Sequence, residues 1–81
     1  MNDTINYDEV YNSICHGNDV VALTHNGGGM SFKLFALTTS IIATTCDAYP
    51  LPCFTAGNAC ELEAECKLRD IYEIVPVTAQ P

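Results

Sequence analysis

The residues best suited to chemistry lie in one short segment, 24–30, which reads Thr-His-Asn-Gly-Gly-Gly-Met. Consecutive glycines let backbone N–H groups converge without obstruction from side chains, which suits the oxygens of a phosphate or a carbonyl. His25 supplies a ring that can stack on a base, and Asn26 supplies an amide that can read the edge of a base. The same composition is typical of an ordinary hairpin turn, and taken alone it favours that interpretation.

A catalytic constellation is hard to assemble from the other side chains. The chain has two histidines and lacks a Gly-x-Ser-x-Gly elbow, a P-loop lysine and a His-Glu-x-x-His helix. Cys15 and His16 are adjacent, so on a helix their side chains diverge by about 100° and cannot form a nucleophile–base pair. We therefore expect a protein that binds without turning its ligand over. We nominate no catalytic residue and no cofactor.

The five cysteines form an odd set, at positions 15, 46, 53, 60 and 66. The last four are separated by six, six and five residues, which matches no tight Cys-x-x-Cys zinc pattern. In a reducing compartment, cysteines of this kind are typically small buried apolar residues. A metal-bound staple made by the last four stays open as an alternative, but we nominate no metal ligand.

The charge balance is strongly acidic. Ten acidic residues face only Lys33, Lys67 and Arg69, which gives a formal net charge of −7. Such a charge repels nucleic acid and anionic membranes at long range, so we expect neither as a partner. The first residues lack the basic region of a signal peptide, and no apolar run reaches membrane-spanning length. We therefore expect a cytoplasmic protein.

The first half of the chain predicts a helix followed by a hairpin. Apolar residues recur at spacings of three and four from Ile5 to Ile14, as on one face of a helix. Asp3 or Thr4 can cap this helix, and Gly17 can end it. Residues 20–24 and 30–36 are then two strands joined by the glycine-rich turn.

The second half predicts more strands. Threonine and isoleucine are dense from 38 to 46, which favours a strand, whereas the prolines and Gly57 within 47–58 predict a loop. Strict alternation of apolar and charged residues over 60–69 predicts a half-buried strand, although the glutamate, leucine and alanine content leaves a helix open. Residues 71–75 predict a last strand, with Pro76 at an edge or exit.

These elements amount to one domain spanning residues 1–81, since a chain of this length does not hold two. The predicted fold class is α+β, with an N-terminal helix packed on a small antiparallel β-sheet.

Two stretches of the chain together resemble a family of small phage proteins. The first contains Tyr7, Ile14, Gly17, Val20-Val21 and His25-Asn26-Gly27-Gly28-Gly29-Met30, and the second is Leu68-Arg69-Asp70-Ile71-Tyr72-Glu73-Ile74-Val75. This register resembles the anti-Thoeris sponges of the second type. They open with an aromatic residue, a helical leucine, a glycine, a valine and Trp-Asn-Gly-x-Gly-Met, and close with an aspartate, a tryptophan and a short apolar strand. The match covers roughly the first 32 and the last 10 residues.

The resemblance implies both a function and a set of binding residues. Sponges of this family assemble into homo-oligomers and sequester cyclic ADP-ribose isomers made by bacterial immune enzymes, without cleaving them. The resemblance therefore implies a nucleotide signal as ligand and a dimer or tetramer of this chain. His25 and Tyr72 each stand where the family has tryptophan, and Ala22 stands where it usually has arginine. The nominated ligand-binding residues are His25, Asn26, Gly27, Gly28, Gly29, Met30, Asp70 and Tyr72.

An acidic inhibitor of another protein is the alternative function. If 60–69 is a strand, Glu61, Glu63 and Glu65 share one face, to which Asp70 and Glu73 add further carboxylates. This face could occupy the basic groove of a host nuclease, polymerase or other defence enzyme as a nucleic-acid mimic. A complex driven by charge in this way should weaken steeply as salt is raised.

Overall fold

The chain has an α+β architecture, as the sequence predicted. A computed structural model describes residues 5–25, 31–38 and 40–77. In that part of the chain, five strands form one antiparallel sheet in the order β4-β3-β2-β1-β5, accompanied by two helices. The elements are α1 (Tyr7–Cys15), β1 (Val20–Thr24), β2 (Ser31–Leu37), β3 (Ser40–Thr45), β4 (Pro52–Ala56), α2 (Ala59–Leu68) and β5 (Ile71–Pro76).

Helix α1 begins later than the predicted caps. Its N-cap is Asn6, whose side-chain oxygen accepts a hydrogen bond from the backbone N–H of Glu9 at 3.1 Å. The prediction of Asp3 or Thr4 as the cap is therefore wrong, and both residues lie outside the described part of the chain. The end of the helix is as predicted, because Gly17 takes a positive φ of 96°, which glycine adopts without strain.

The predicted hairpin and the predicted third strand are confirmed. β1 and β2 pair antiparallel, with Val20 opposite Leu34 and Leu23 opposite Ser31. β3 lies within the predicted range and pairs with the other side of β2. β5 adds to the free side of β1, so the strand that contains Pro76 is an edge strand. The predicted turn residues Asn26 to Met30 lie outside the described residues.

The prediction of a loop over 47–58 is wrong in its second half. Residues 52–56 form β4, in which Phe54 pairs with Ala43 and Ala56 pairs with Ile41. Pro52 is tolerated because it begins an edge strand, where a missing N–H costs no bond within the sheet. Burial of Phe54 and Ala56 in the core outweighs the turn propensity of the flanking residues.

The prediction of a strand over 60–69 is also wrong, because this segment forms α2. Its N-cap is Asn58, whose side chain accepts from the N–H of Glu61 at 2.9 Å. Leu62 and Cys66 are fully buried, and their spacing of four places both on one helical face. Glutamate, leucine, alanine and lysine are good helix formers, and this propensity decides between two patterns that the sequence left open.

Both helices cover the same face of the sheet. Ile14 of α1 and Leu62 and Cys66 of α2 join one core cluster with Leu34 and Ile41 of the sheet. The opposite side, which we call the outer face, is not covered by either helix. Strand alternation places the following described residues on the outer face: Val21, Leu23, Lys33, Phe35, Leu37, Ile42, Thr44, Thr55, Glu73 and Val75. Within the described ranges, no helix is long and apolar enough to cross a membrane.

Candidate functional site

One end of the sheet gathers the residues nominated from sequence. There β1 and β3 finish, and β2, β4 and β5 begin. The connection between α2 and β5 also reaches this end, because α2 runs back along the sheet from the end of β4. We call it the Thr24 end, defined by the strand termini Thr24, Ser31, Thr45, Pro52 and Ile71.

The Thr24 end carries a stacked aromatic pair. His25 directly follows β1, and Tyr72 is the second residue of β5. Their ring centroids lie 4.1 Å apart with an angle of 19° between the ring planes. His25 is exposed and Tyr72 is 44% exposed, so the pair presents aromatic surface to solvent. Neighbouring planar groups can extend such a stack.

A β-bulge explains why Tyr72 is available for stacking. Leu23 pairs with Glu73, but the next residue, Thr24, pairs with Ile71. One step along β1 thus corresponds to two steps along β5, and Tyr72 is the extra residue. A bulge leaves its extra residue unpaired and redirects the side chain, which here meets the ring of His25.

Hydrogen bonds between β1 and the α2–β5 connection hold His25 in place. The backbone N–H of His25 donates to the carbonyl oxygen of Asp70 at 3.3 Å. The hydroxyl of Thr24, only 4% exposed, donates to the carbonyl oxygen of Arg69. Asp70 adopts a positive φ of 56°, a conformation that aspartate tolerates better than most residues, and this turns the chain from α2 into β5.

The structure therefore brings together three of the nominated residues, His25, Asp70 and Tyr72. They come from the two separate stretches of sequence that resemble the sponge family. The other five nominated residues, Asn26, Gly27, Gly28, Gly29 and Met30, lie outside the described part of the chain.

Arg69 makes contacts near the end of α2 that the sequence analysis did not predict. Its guanidinium carbon lies 4.6 Å from the centroid of the Phe54 ring. The same guanidinium forms an ion pair with the carboxylate of Glu65 and donates to the Glu65 carbonyl oxygen at 3.1 Å. Arg69 thus ties the end of α2 to β4. The spacing of four between Glu65 and Arg69 would have indicated this ion pair had 60–69 been treated as a helix.

The predicted acidic strand face is wrong, because its three glutamates, Glu61, Glu63 and Glu65, lie on the helix α2. Glu61 accepts a hydrogen bond from the backbone N–H of Gly57 at 2.7 Å, as part of the cap of the helix. Glu63 pairs with Lys67 at 2.7 Å, and Glu65 pairs with Arg69. Each of the three carboxylates thus has a local partner.

Clefts of small-molecule size lie at both ends of the sheet. One, of about 460 Å³, opens on the outer face at the Thr24 end. The other, of about 350 Å³, lies at the opposite end of the sheet, where α1 ends, β1 begins and β5 ends. The second cleft contains Asp19 and no basic side chain among its lining residues.

The cysteines, all five of which are described, are free thiols. Cys15, Cys46 and Cys60 are exposed, whereas Cys66 is buried in the core. Burial raises the pKa of the Cys66 thiol from 9.0 to about 12, against the opposite effect of the Arg69 charge. Across residues 5–25, 31–38 and 40–77, no group of three or more histidine, cysteine or acidic side chains could hold a metal ion.

No protein-family model, curated protein or solved structure matches the chain.

Proposed function

We propose that the protein binds a small nucleotide immune signal of the cyclic ADP-ribose type and sequesters it without catalysis. In this proposal it is a phage or prophage anti-defence protein that acts in the cytoplasm of the host cell. The observation that carries the proposal is the solvent-exposed stack of His25 on Tyr72 at the Thr24 end. Stacking of a base on an aromatic side chain contributes about 1–3 kcal/mol and needs no catalytic group.

The meeting of distant residues supports the proposal. His25 and Tyr72 are far apart in the chain, and the sponge resemblance nominates both as ligand-binding positions. The outer surfaces of the exposed aromatic pair are flat, which suits the stacking of a planar base. Residues 26–30 directly follow His25, and their glycines predict backbone amides close enough to hold phosphate oxygens.

Binding alone is sufficient for the proposed activity. A sponge lowers the free concentration of its ligand in proportion to the number of sites, and bound messenger cannot reach the effector that it activates. Tight capture with slow release achieves this, while cleavage would require positioned acid–base groups that we do not nominate. The ligand should accordingly be recoverable unchanged from the protein.

A homo-oligomer is part of the proposal. Large apolar side chains are exposed at the Thr24 end in the β3–β4 connection and around the α2–β5 connection, where a second copy of the chain would cover them. A ligand bound between two copies would then be shielded from water on both sides. These side chains are Tyr49, Leu51, Leu68 and Tyr72.

Native mass spectrometry of the protein purified from cells that express an active Thoeris system tests this function. We expect a homo-oligomer that carries small molecules of nucleotide mass, which heating releases intact. Protein from cells with an inactivated signal-producing enzyme is the control and should carry none. An adduct-free protein from the active cells, or a ligand recovered only as cleavage products, would contradict the proposal.

A further inference from the structure

Lys33 differs from the other two basic residues of the chain. Lys67 and Arg69 are each held in an ion pair on α2, with Glu63 and Glu65. Lys33 is exposed in the middle of β2 and forms no ion pair with any carboxylate in the described residues. In a chain of net charge −7, the basic group that is not neutralised by an internal carboxylate is the one available to an anion.

Lys33 lines the cleft at the Thr24 end. This cleft has a volume of about 460 Å³, within the range of sites for small ligands. The Lys33 ammonium lies 5.9 Å from the centroid of the Phe35 ring, so a cation and an aromatic surface share one wall. The lining residues are Lys33, Phe35, Thr44, Thr45, Cys46, Asp47 and Pro50.

The lining of the cleft also includes one carboxylate, that of Asp47, which narrows the choice of ligand. Asp47 accepts a hydrogen bond from the hydroxyl of Thr45 at 2.6 Å. A carboxylate has about four acceptor positions, so Asp47 can accept from further donors. A simple anion would satisfy Lys33 but be repelled by Asp47. A ligand that carries both an anionic group and hydroxyl donors satisfies both, and a nucleotide has phosphate and ribose for these roles.

We propose that this cleft is the phosphate and ribose subsite for the nucleotide, with Lys33 on a phosphate oxygen and Asp47 on a ribose hydroxyl. The inference takes its ligand class from the proposed function and adds a part of the site that the sequence did not nominate. Lys33 pairs with Val21, so the His25–Tyr72 pair lies about 10–13 Å further along the strands and one to two strand spacings, or about 5–10 Å, across them. One ligand with a base and a diphosphate can reach across that distance.

Titration of ADP-ribose into the full chain, followed by backbone amide NMR shifts and calorimetry, tests the subsite. We expect shifts at Lys33, Thr44 and Asp47. Lys33→Gln should weaken ADP-ribose binding roughly 10- to 100-fold, as expected for a lost charged hydrogen bond. Lys67→Gln removes the same charge from α2 and should leave the affinity within about twofold of wild type. Both lysines are exposed, and an unchanged melting temperature verifies that each variant is folded.

The Tyr72→Ala variant separates this inference from the proposed function. Loss of binding in both Lys33→Gln and Tyr72→Ala supports one ligand that spans the two places. Loss in Tyr72→Ala with no change in Lys33→Gln overturns the subsite and leaves the aromatic platform intact. Equal weakening by Lys33→Gln and Lys67→Gln would indicate a general charge effect and also overturns it. Failure of wild-type protein to bind ADP-ribose overturns the subsite, while the mass spectra of cell-purified protein test the sponge separately.

Discussion

At the scale of single residues, the aromatic pair depends on neighbours that fix the backbone on both sides. His25 is held through its N–H on Asp70, and Tyr72 is displaced by the bulge between β1 and β5. The two rings therefore meet before any ligand arrives. Preorganised aromatic groups lose little conformational entropy on binding, which favours high affinity from a small contact area. A base is expected to add to this stack on an outer surface, because the inner ring faces already cover each other.

Cys66 gives a prediction for the dependence of stability on pH. Its folded pKa is about 12, above the value of 9.0 expected when the thiol is exposed, because burial disfavours the thiolate. The stability associated with the neutral thiol is thus fully present below pH 9 and is lost as pH rises towards 12. Between pH 9 and 10 we expect the folding equilibrium constant to fall about fivefold from this group. Urea unfolding at closely spaced pH values measures the effect.

The control for this prediction is Cys66→Ala, which removes the titrating group. Its overall stability should be lower because it leaves a cavity, but its decline between pH 9 and 10 should be shallower than in the wild type. Tyr7, whose pKa burial also raises to about 12, accounts for further loss above pH 10 in both proteins. Parallel declines of the two proteins between pH 9 and 10 would show that Cys66 does not titrate as described.

At the scale of elements, helix α2 is anchored by one apolar side chain in its first half. Leu62 is fully buried in the core cluster, whereas Leu68, at the end of the same helix, is 76% exposed. We expect Leu62→Ala to lower the free energy of unfolding by about 2–5 kcal/mol, through lost burial and the cavity left behind. The matched change Leu68→Ala should cost less than about 0.5 kcal/mol. Urea denaturation measures both, and similar losses for the two would contradict the orientation of α2.

Sequence periodicity predicted the secondary structure correctly in segments that fit only one pattern, either helical or extended. The helical spacing of α1 and the β-branched runs of β1 and β3 indicated their structures, because local propensity and burial agree there. In α2 the apolar and charged residues alternate with period two, yet the buried pair, Leu62 and Cys66, is spaced by four. The alternation matched a strand by coincidence, and the absence of β-branched residues over 60–69 was the better guide.

β4 was missed for a different reason. Turn signals surround it, with Pro50 before it, Pro52 at its first position and Gly57 after it. The strand exists because Phe54 and Ala56 fill the space between β3 and α2, which is a tertiary effect. Local composition contains no information about that space. Local composition also could not predict the cleft at Lys33, because its walls come from β2, β3 and the connection that follows β3.

Part of the candidate site was accessible from sequence. His25, Asp70 and Tyr72 were nominated because they occupy positions in recognisable motifs at the two ends of the chain. Their contact depends on β5 pairing with β1, and β5 could have joined another edge on sequence grounds alone. Arg69 and Phe54 were not nominated, since their contact requires α2 to be a helix that ends above β4.

At the scale of the whole molecule, the distribution of charge argues against the alternative of an acidic inhibitor. That alternative required Glu61, Glu63 and Glu65 on one strand face. On α2, Glu61 and Glu65 share one helical face and Glu63 lies on the opposite side, and each has a partner within the chain. Competition with such internal partners weakens any attraction to a basic groove. The net charge of −7 is then best explained as a contribution to solubility.

Self-association through the Thr24 end is the prediction at this scale. We expect a dimer or tetramer at micromolar concentration, measured by light scattering coupled to size exclusion. Leu51→Glu should dissociate it, because the leucine is exposed at that end and a buried glutamate would lack a partner. Leu37→Glu is the matched control, since Leu37 is similarly exposed but lies at the opposite end of β2. A monomeric wild type, or dissociation by Leu37→Glu alone, would contradict this interface.

Calorimetric titration with cyclic ADP-ribose isomers tests the central claim most directly, with the Tyr72→Ala variant beside the wild type. We predict saturable binding to the wild type and an affinity roughly 10- to 100-fold weaker in Tyr72→Ala, because the stacking platform is lost. Tyr72→Phe keeps the ring and should bind within about threefold of wild type, and Leu37→Ala should bind unchanged. Equal affinities of wild type and Tyr72→Ala, or no binding of any isomer by the wild type, would contradict the claim that the exposed aromatic pair holds a nucleotide signal.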